Sequence, residues 1–263
     1  MCVPHDALPP IPAISGAAVD SEDLILKSAD GTEFAAFAAR SDTPDGVGMV
    51  VMPDVRGLFT FYEEVALRFA EIGMNAVTID YFGRTAGVGK RNDPEFKFMD
   101  HVLKTHPLTV SQDVGAAVAY LRSPQGGSCT SIFTVGFCFG GSSSWFQSSA
   151  GHGLSGAIGF YGHPSRVIQA MVSPEAGKGI PTAMDRVAEM EAPILGLQAG
   201  ADQMITQADT AAFKAALDAA GIENEFKTYE GAPHSFFDRA YETYAAESAD
   251  AWERIQAFIA KHR

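Results

Sequence analysis

Gly136-Phe137-Cys138-Phe139-Gly140-Gly141 is the stretch on which the fold of this 263-residue chain turns. It follows Ser131-Ile132-Phe133-Thr134-Val135, a β-branched and aromatic run of the kind that forms a buried strand. It runs into Gly141-Ser142-Ser143-Ser144-Trp145-Phe146-Gln147, which suits a helix. A strand, a sharp turn and a helix, with glycines two before and two after a nucleophilic side chain, is the nucleophile-elbow pattern. Strand and helix nearly touch at such a turn, so Cβ atoms at Gly136 and Gly140 would clash. The helix that starts beyond Cys138 directs its dipole at the sulfur, which favours a thiolate. The alternative is a buried structural cysteine beside ordinary glycines, and the rest of the chain decides between the two.

Working outward, 46% apolar content in a chain of this length suits one large α/β domain, residues 1–263, with a full core. A net charge of −13 argues against nucleic acid or an anionic membrane as partner. No apolar run reaches the roughly 18–20 residues of a membrane span, and Met1–Asp6 has no signal-peptide pattern. Cys2, Cys129 and Cys138 make no disulfide framework. A reducing cytoplasm is expected, which keeps Cys138 free. The pattern calls for no cofactor and no metal, and the expected assembly is a monomer or small homo-oligomer.

Residues 1–20 carry Pro4, Pro9, Pro10 and Pro12 and read as a proline-rich arm, extended or partly disordered. Asp30-Gly31 between two apolar runs predicts a hairpin. Strands are expected at Val47–Met52, Asn75–Ile79, Leu154–Phe160, Pro193–Gln198 and Glu223–Tyr229, besides the one before the elbow. Helices are expected at Tyr62–Ile72, Thr109–Leu121, Thr206–Ala220 and Tyr241–Ile259. The connections 83–107 and 161–191 are long and irregular, a sign of functional loops. Alternating strands and helices imply a mostly parallel sheet of about eight strands, covered by helices on both faces. Right-handed crossovers bring the strand C-termini to one side, where ligands bind.

A cysteine nucleophile needs a base, and the base needs an orienting acid. Asp202 stands just past the strand ending Leu197-Gln198-Ala199-Gly200-Ala201, and His234 stands in Gly231-Ala232-Pro233-His234-Ser235-Phe236, between the last strand and the last helix. A single Asp or His in a loop is more often merely solvated. Here nucleophile, acid and histidine follow one another in order, each at a strand end. His163, after Phe160-Tyr161-Gly162, competes as base but precedes Asp202 and breaks that order. The oxyanion hole is expected from the N–H of Phe139 and that of Val55 in the loop after the early strand. Asp54, beside Val55, is then close to Cys138.

These residues resemble the dienelactone hydrolases (carboxymethylenebutenolidases), a branch of the α/β-hydrolase fold, from about residue 24 to the end. The resemblance implies a Cys138–Asp202–His234 triad that opens a small lactone or ester through a thioester, with a carboxylate on the substrate. The alternative is a general carboxylesterase or thioesterase acting on uncharged substrates. In the family a glutamate at the position of Asp54 binds the resting thiol and gives way to substrate. Arg84, in Asp80-Tyr81-Phe82-Gly83-Arg84, matches the first of two arginines that hold the substrate carboxylate. A surface salt bridge is its bland alternative. The second arginine should lie four residues after the histidine; Asp238 stands there and Arg239 one later. Arg56 is a further cation beside the oxyanion loop. Tyr161, in the Gly159-Phe160-Tyr161-Gly162 match, joins Asp54, Arg84, Arg56 and Arg239 as a substrate-binding or gating candidate.

Overall fold

The computed structural model describes residues 7–15, 17 and 19–263, so the expectations for Cys2 and Pro4 lie outside the described residues. The elements run β1 (Val19–Lys27), β2 (Glu33–Ser41), β3 (Val47–Met52), α1 (Thr60–Glu71), β4 (Asn75–Ile79), α2 (Gly83–Ala86), α3 (Phe98–Val102), α4 (Pro107–Arg122), β5 (Ser131–Phe137), α5 (Phe139–Gln147), β6 (Gly156–Phe160), α6 (Ile168–Val172), β7 (Ile194–Ala199), α7 (Gln207–Ala220), β8 (Asn224–Tyr229) and α8 (Ala245–His262). A 3₁₀ turn lies at Met184–Glu189.

Eight strands form one sheet in the order β1-β2-β4-β3-β5-β6-β7-β8. The β1–β2 hairpin is antiparallel and joins β4 antiparallel, whereas β4, β3 and β5 to β8 are mutually parallel. The strand β3 shows why the sheet is covered twice. Its Met49 and Val51 enter one core with side chains of α1 and α8, and its Val50 and Met52 enter another with side chains of α4. Alternate residues of a strand face opposite sides, so a strand apolar at every position must be buried on both. A third core joins Trp145 of α5 to Phe213 and Leu217 of α7.

The chain leaves β3 towards β4 on one side and later returns to lay β5 on the other. The strand order reverses at β3, so a crevice opens between the C-terminal ends of β3 and β5. Cys138 and the Pro53–Val55 loop stand at that crevice.

Two segments differ from expectation. The described arm is not free, because Ile11 is buried in the core with α1 and the N–H of Ile14 donates to Glu71 Oε2 at 3.0 Å. The last helix starts at Ala245 rather than Tyr241. Residues 235–244 curl back on themselves instead, with the Ala240 N–H on the Ser235 carbonyl and the Tyr244 N–H on the Ala240 carbonyl, both at 3.1 Å. The Tyr244 hydroxyl then donates to the Gly231 carbonyl at 3.0 Å, anchoring the loop that carries His234.

Candidate active site

At the elbow Cys138 has φ 56° and ψ −114°, a region that L-residues rarely occupy. The surroundings hold it there. A Cβ on Gly136 would lie 1.9 Å from the Gly140 carbonyl oxygen, and one on Gly140 would lie 2.1 Å from the Met52 carbonyl oxygen. Both neighbours are backbone and cannot move aside, so glycine is required at both positions. The Cys138 N–H donates to the Phe160 carbonyl at 3.0 Å, tying the elbow to β6. Among the described residues four non-glycines have positive φ, and Cys138, Tyr161 and Ser235 are three of them. Backbone strain of this kind collects where function over-determines geometry.

Asp202 follows β7 and is fixed before it meets any histidine. Its Oδ1 accepts from the N–H groups of Met204 (2.8 Å) and Ile205 (3.2 Å). The helix that follows starts with a capping box, in which Thr206 Oγ accepts from the Asp209 N–H and Asp209 Oδ2 accepts from the Thr206 N–H. The other carboxylate oxygen, Oδ2, is 2.6 Å from His234 Nδ1, and the Asp202 side chain is only 2% exposed. The Ala201 N–H on the Ala232 carbonyl, at 2.9 Å, locks the acid loop to the histidine loop. Burial alone would raise the Asp202 carboxyl, but the hydrogen bond and charge of His234 outweigh it and hold the group below the usual carboxylate range. Burial alone would lower His234. Its bond to Asp202 and its interaction with Cys138 prevail, and its pKa is pushed up to about 10. Its Nε2 is buried and is the ring nitrogen left for Cys138, since Nδ1 is taken by Asp202. His234 and Cys138 line the same cavity.

Asp54, Arg56 and Asp238 are buried polar side chains. Asp54 accepts from Arg56 three ways: the Arg56 N–H reaches Oδ1 at 2.8 Å, while Nε and Nη2 reach Oδ2 at 3.1 and 2.9 Å. The Arg56 guanidinium carbon also stands 4.0 Å from the Phe59 ring centroid. Tyr161 lines the cavity and its hydroxyl donates to Asp238 Oδ2 at 3.2 Å. Burial, and then the charge of Asp54, push Asp238 up to about 6. Burial, and then Asp54, also raise the phenol of Tyr81, on which Cys138 acts as well.

Three of the expected substrate cations are placed differently. Arg84 is drawn to the outer face, with Nη1 2.6 Å from Asp113 Oδ2 and Nη2 3.0 Å from Asp30 Oδ2. Arg84 is thus held in salt bridges, one to Asp30 and one to the buried Asp113. Asp80 pairs with Arg91 Nη2 at 2.7 Å and not with Arg84. Arg56 is turned inward onto Asp54, and Arg239 is an exposed residue whose N–H caps Asp238. None of the three lines the cavity. Asp54, the gating candidate, is paired with Arg56.

The cavity encloses about 770 Å³ counted out to open solvent and is walled mainly by apolar side chains, among them Phe139, Phe146, Ile168 and Met171. Val55 stands off it and packs with Phe139 against the α4-side core. The residues that sequence reasoning missed come from the loop after β6. Arg166 lines the cavity, as does His163, which the sequence reading set aside as a base. Only their position past a strand's C-terminal end could have signalled them.

The family model of the dienelactone hydrolase family matches residues 34–263. The chain belongs to the dienelactone hydrolase family. It is a hydrolase of that family. A protein of Methylorubrum extorquens named as a carboxymethylenebutenolidase is 26% identical over 262 residues, 97% of this chain and 88% of the relative. A protein of Bradyrhizobium named as a 2-oxo-3-(5-oxofuran-2-ylidene)propanoate lactonase is 28% identical over 220 residues, covering 81% of this chain and 83% of its own. A Klebsiella pneumoniae crystal structure described as a dienelactone hydrolase superposes with a TM-score of 0.76 at 23% identity, over 92% of this chain and 99% of that one. The shared architecture is the α/β-hydrolase fold. No helix among the described residues is long and apolar enough to cross a membrane.

Proposed function

We propose that this dienelactone hydrolase-family enzyme opens a small, carboxylate-bearing lactone or ester with a Cys138–His234–Asp202 triad. The observation that carries the reading is His234, held by Asp202 at 2.6 Å while it shares one cavity with Cys138. With the Cys138 thiol proton held on His234 Nε2 as an imidazolium, the sulfur attacks the carbonyl carbon. The oxyanion forms against the N–H groups of Phe139 and Val55. Collapse breaks the carbon–oxygen bond, and the imidazolium returns its proton to the departing oxygen. In a lactone that oxygen stays tethered as the ring-opened alcohol. Water, deprotonated by His234, then cleaves the thioester, releases a carboxylic acid and restores the thiol.

The relative named as a propanoate lactonase acts, by its name, on a lactone bearing a carboxylate, and this supports the same class here. A second reading, hydrolysis of uncharged esters, is favoured by the engagement of Arg84 and Arg56 elsewhere and by the apolar walls. Turnover of dienelactone- and muconolactone-type compounds beside 4-nitrophenyl acetate, in wild type and Cys138→Ala, tests the proposal. The expected result is preference for the lactones, a mass increment on Cys138 during turnover, and no turnover by the variant. Undiminished turnover by Cys138→Ala would sink the triad.

A further inference from the structure

The loop after β6 carries polar groups that the triad does not use. His163 is 7% exposed and lines the cavity. The Ser165 N–H donates to its Nδ1 at 3.3 Å, which leaves the ring proton on Nε2. Burial pushes the imidazole below its ordinary range and so keeps it neutral. That Nε2 is buried with no hydrogen-bond partner among the described residues. A buried donor left unmade costs about 1–3 kcal/mol, so such groups need an explanation. The His163 backbone gives one clue. Its N–H donates to Ser142 Oγ at 2.7 Å, and the Ser142 N–H donates to the Cys138 carbonyl at 3.2 Å. The donor is therefore held in fixed register with the nucleophile.

Arg166, three residues on, is the only lysine or arginine among the residues lining the cavity. It is exposed and forms no ion pair among the described residues. The nearby carboxylate of Asp209 is occupied by the N–H and hydroxyl of Thr206, at 2.9 and 2.6 Å.

We infer that the buried, unpartnered His163 Nε2–H and the unpaired Arg166 on the same cavity wall form the anchor for the substrate's carboxylate. The anchor replaces the one expected at Arg84. This rests on the triad reading, because the anchor is placed relative to Cys138. The buried imidazole supplies a directional donor to one carboxylate oxygen, and the guanidinium at the cavity edge supplies the charge. The substrate class follows: a short ester or lactone whose acyl part ends in a carboxylate, with an apolar middle against the walls.

The test compares mono(4-nitrophenyl) succinate, which carries the carboxylate, with 4-nitrophenyl butyrate, which does not. The readout is the ratio of the two kcat/KM values. Arg166→Gln is expected to lower that ratio at least about 10-fold through KM for the anionic ester, the scale of a lost charge-assisted hydrogen bond. His163→Leu lowers it in the same direction, and His163→Gln, which again presents an amide N–H, restores most of it. A ratio that stays within about 2-fold of wild type in Arg166→Gln overturns the anchor, even where His163→Leu fails to fold. Cys138→Ala run beside them separates the two readings: turnover of both esters by that variant removes the triad, whereas an unchanged ratio in Arg166→Gln removes the anchor alone.

Discussion

Replacing Asp202 with asparagine probes the site with the least disturbance to the fold. The asparagine carbonyl oxygen still accepts from the N–H groups of Met204 and Ile205, so the loop keeps its two backbone anchors. What changes is the 2.6 Å contact to His234 Nδ1. A carboxylate there accepts the Nδ1 proton and stabilises the imidazolium that holds the thiol proton on Nε2. An amide NH₂ in its place donates to Nδ1 and forces the proton onto Nε2, the nitrogen that should be the base. A hydrogen bond to a charged group is worth roughly 1.5–3 kcal/mol, or about 1–2 pH units of imidazole basicity. His234 should therefore titrate well below its present value of about 10. With the tautomer also wrong, kcat should fall by about 10²–10⁴-fold. Initial rates on 4-nitrophenyl butyrate across pH, with NMR titration of the His234 ring, measure both effects. The sign for stability follows. His234 titrates higher folded than unfolded, so its contribution is whole below about 6.5 and drains away as pH rises towards 10. The variant should flatten that decline in urea melts. A kcat within about threefold of wild type would refute the reasoning, since it would mean that Asp202 neither orients nor charges the base.

Asp238, pushed up to about 6 by burial and Asp54, weakens the folded state progressively as pH rises from 3.8 through 6, so Asp238→Asn should stabilise by at most about 3 kcal/mol at pH 8 and by nothing near pH 3.5 in urea melts; equal gains at both pH values would contradict this. Arg56→Met should lower stability by about 3–5 kcal/mol because it strands the buried Asp54, and adding Asp54→Asn should recover much of it; additive losses in the double-mutant cycle would show that the pair is not coupled. Arg84→Ala should destabilise, because Asp113 is buried and its charge is held by that arginine and by Ser28, yet leave the succinate-to-butyrate selectivity as it is; a selectivity loss greater than in Arg166→Gln would return Arg84 to the substrate.

The parts of this molecule that the sequence disclosed are those where the backbone itself is constrained. Gly136 and Gly140 are demanded by carbonyl oxygens about 2 Å from any Cβ, and that demand is visible as a glycine pattern. Asp202 and His234 follow strand ends, so the sheet's direction alone brings them together. Side-chain direction leaves no such trace. Arg84 sits where the family pattern puts it, but Asp30 and Asp113 outbid the cavity for its charge, and neither is near it in sequence. Arg56 and Asp54 are two residues apart and satisfy each other. His163 and Arg166 lie in an irregular loop with neither helical nor strand period, so nothing in the local pattern marks them.

The reversal of strand order at β3 also sets when the thiol becomes dangerous. The elbow is complete once β3, β5 and β6 have paired, since its contacts come from Met52, Pro53 and Phe160. The histidine proposed as its base arrives on the loop after β8, near the end of the chain, where Asp202, the Ala201–Ala232 bond and the Tyr244–Gly231 bond hold it. Chains emerge from the ribosome N-terminus first, so a nascent chain holds a shaped but unaccompanied cysteine until its last quarter is made. Pulsed iodoacetamide labelling during refolding tests this: labelling of Cys138 faster than that of the unfolded thiol should lag behind formation of the β3–β5 core, and a rise in step with that core would show that the elbow is reactive without its histidine.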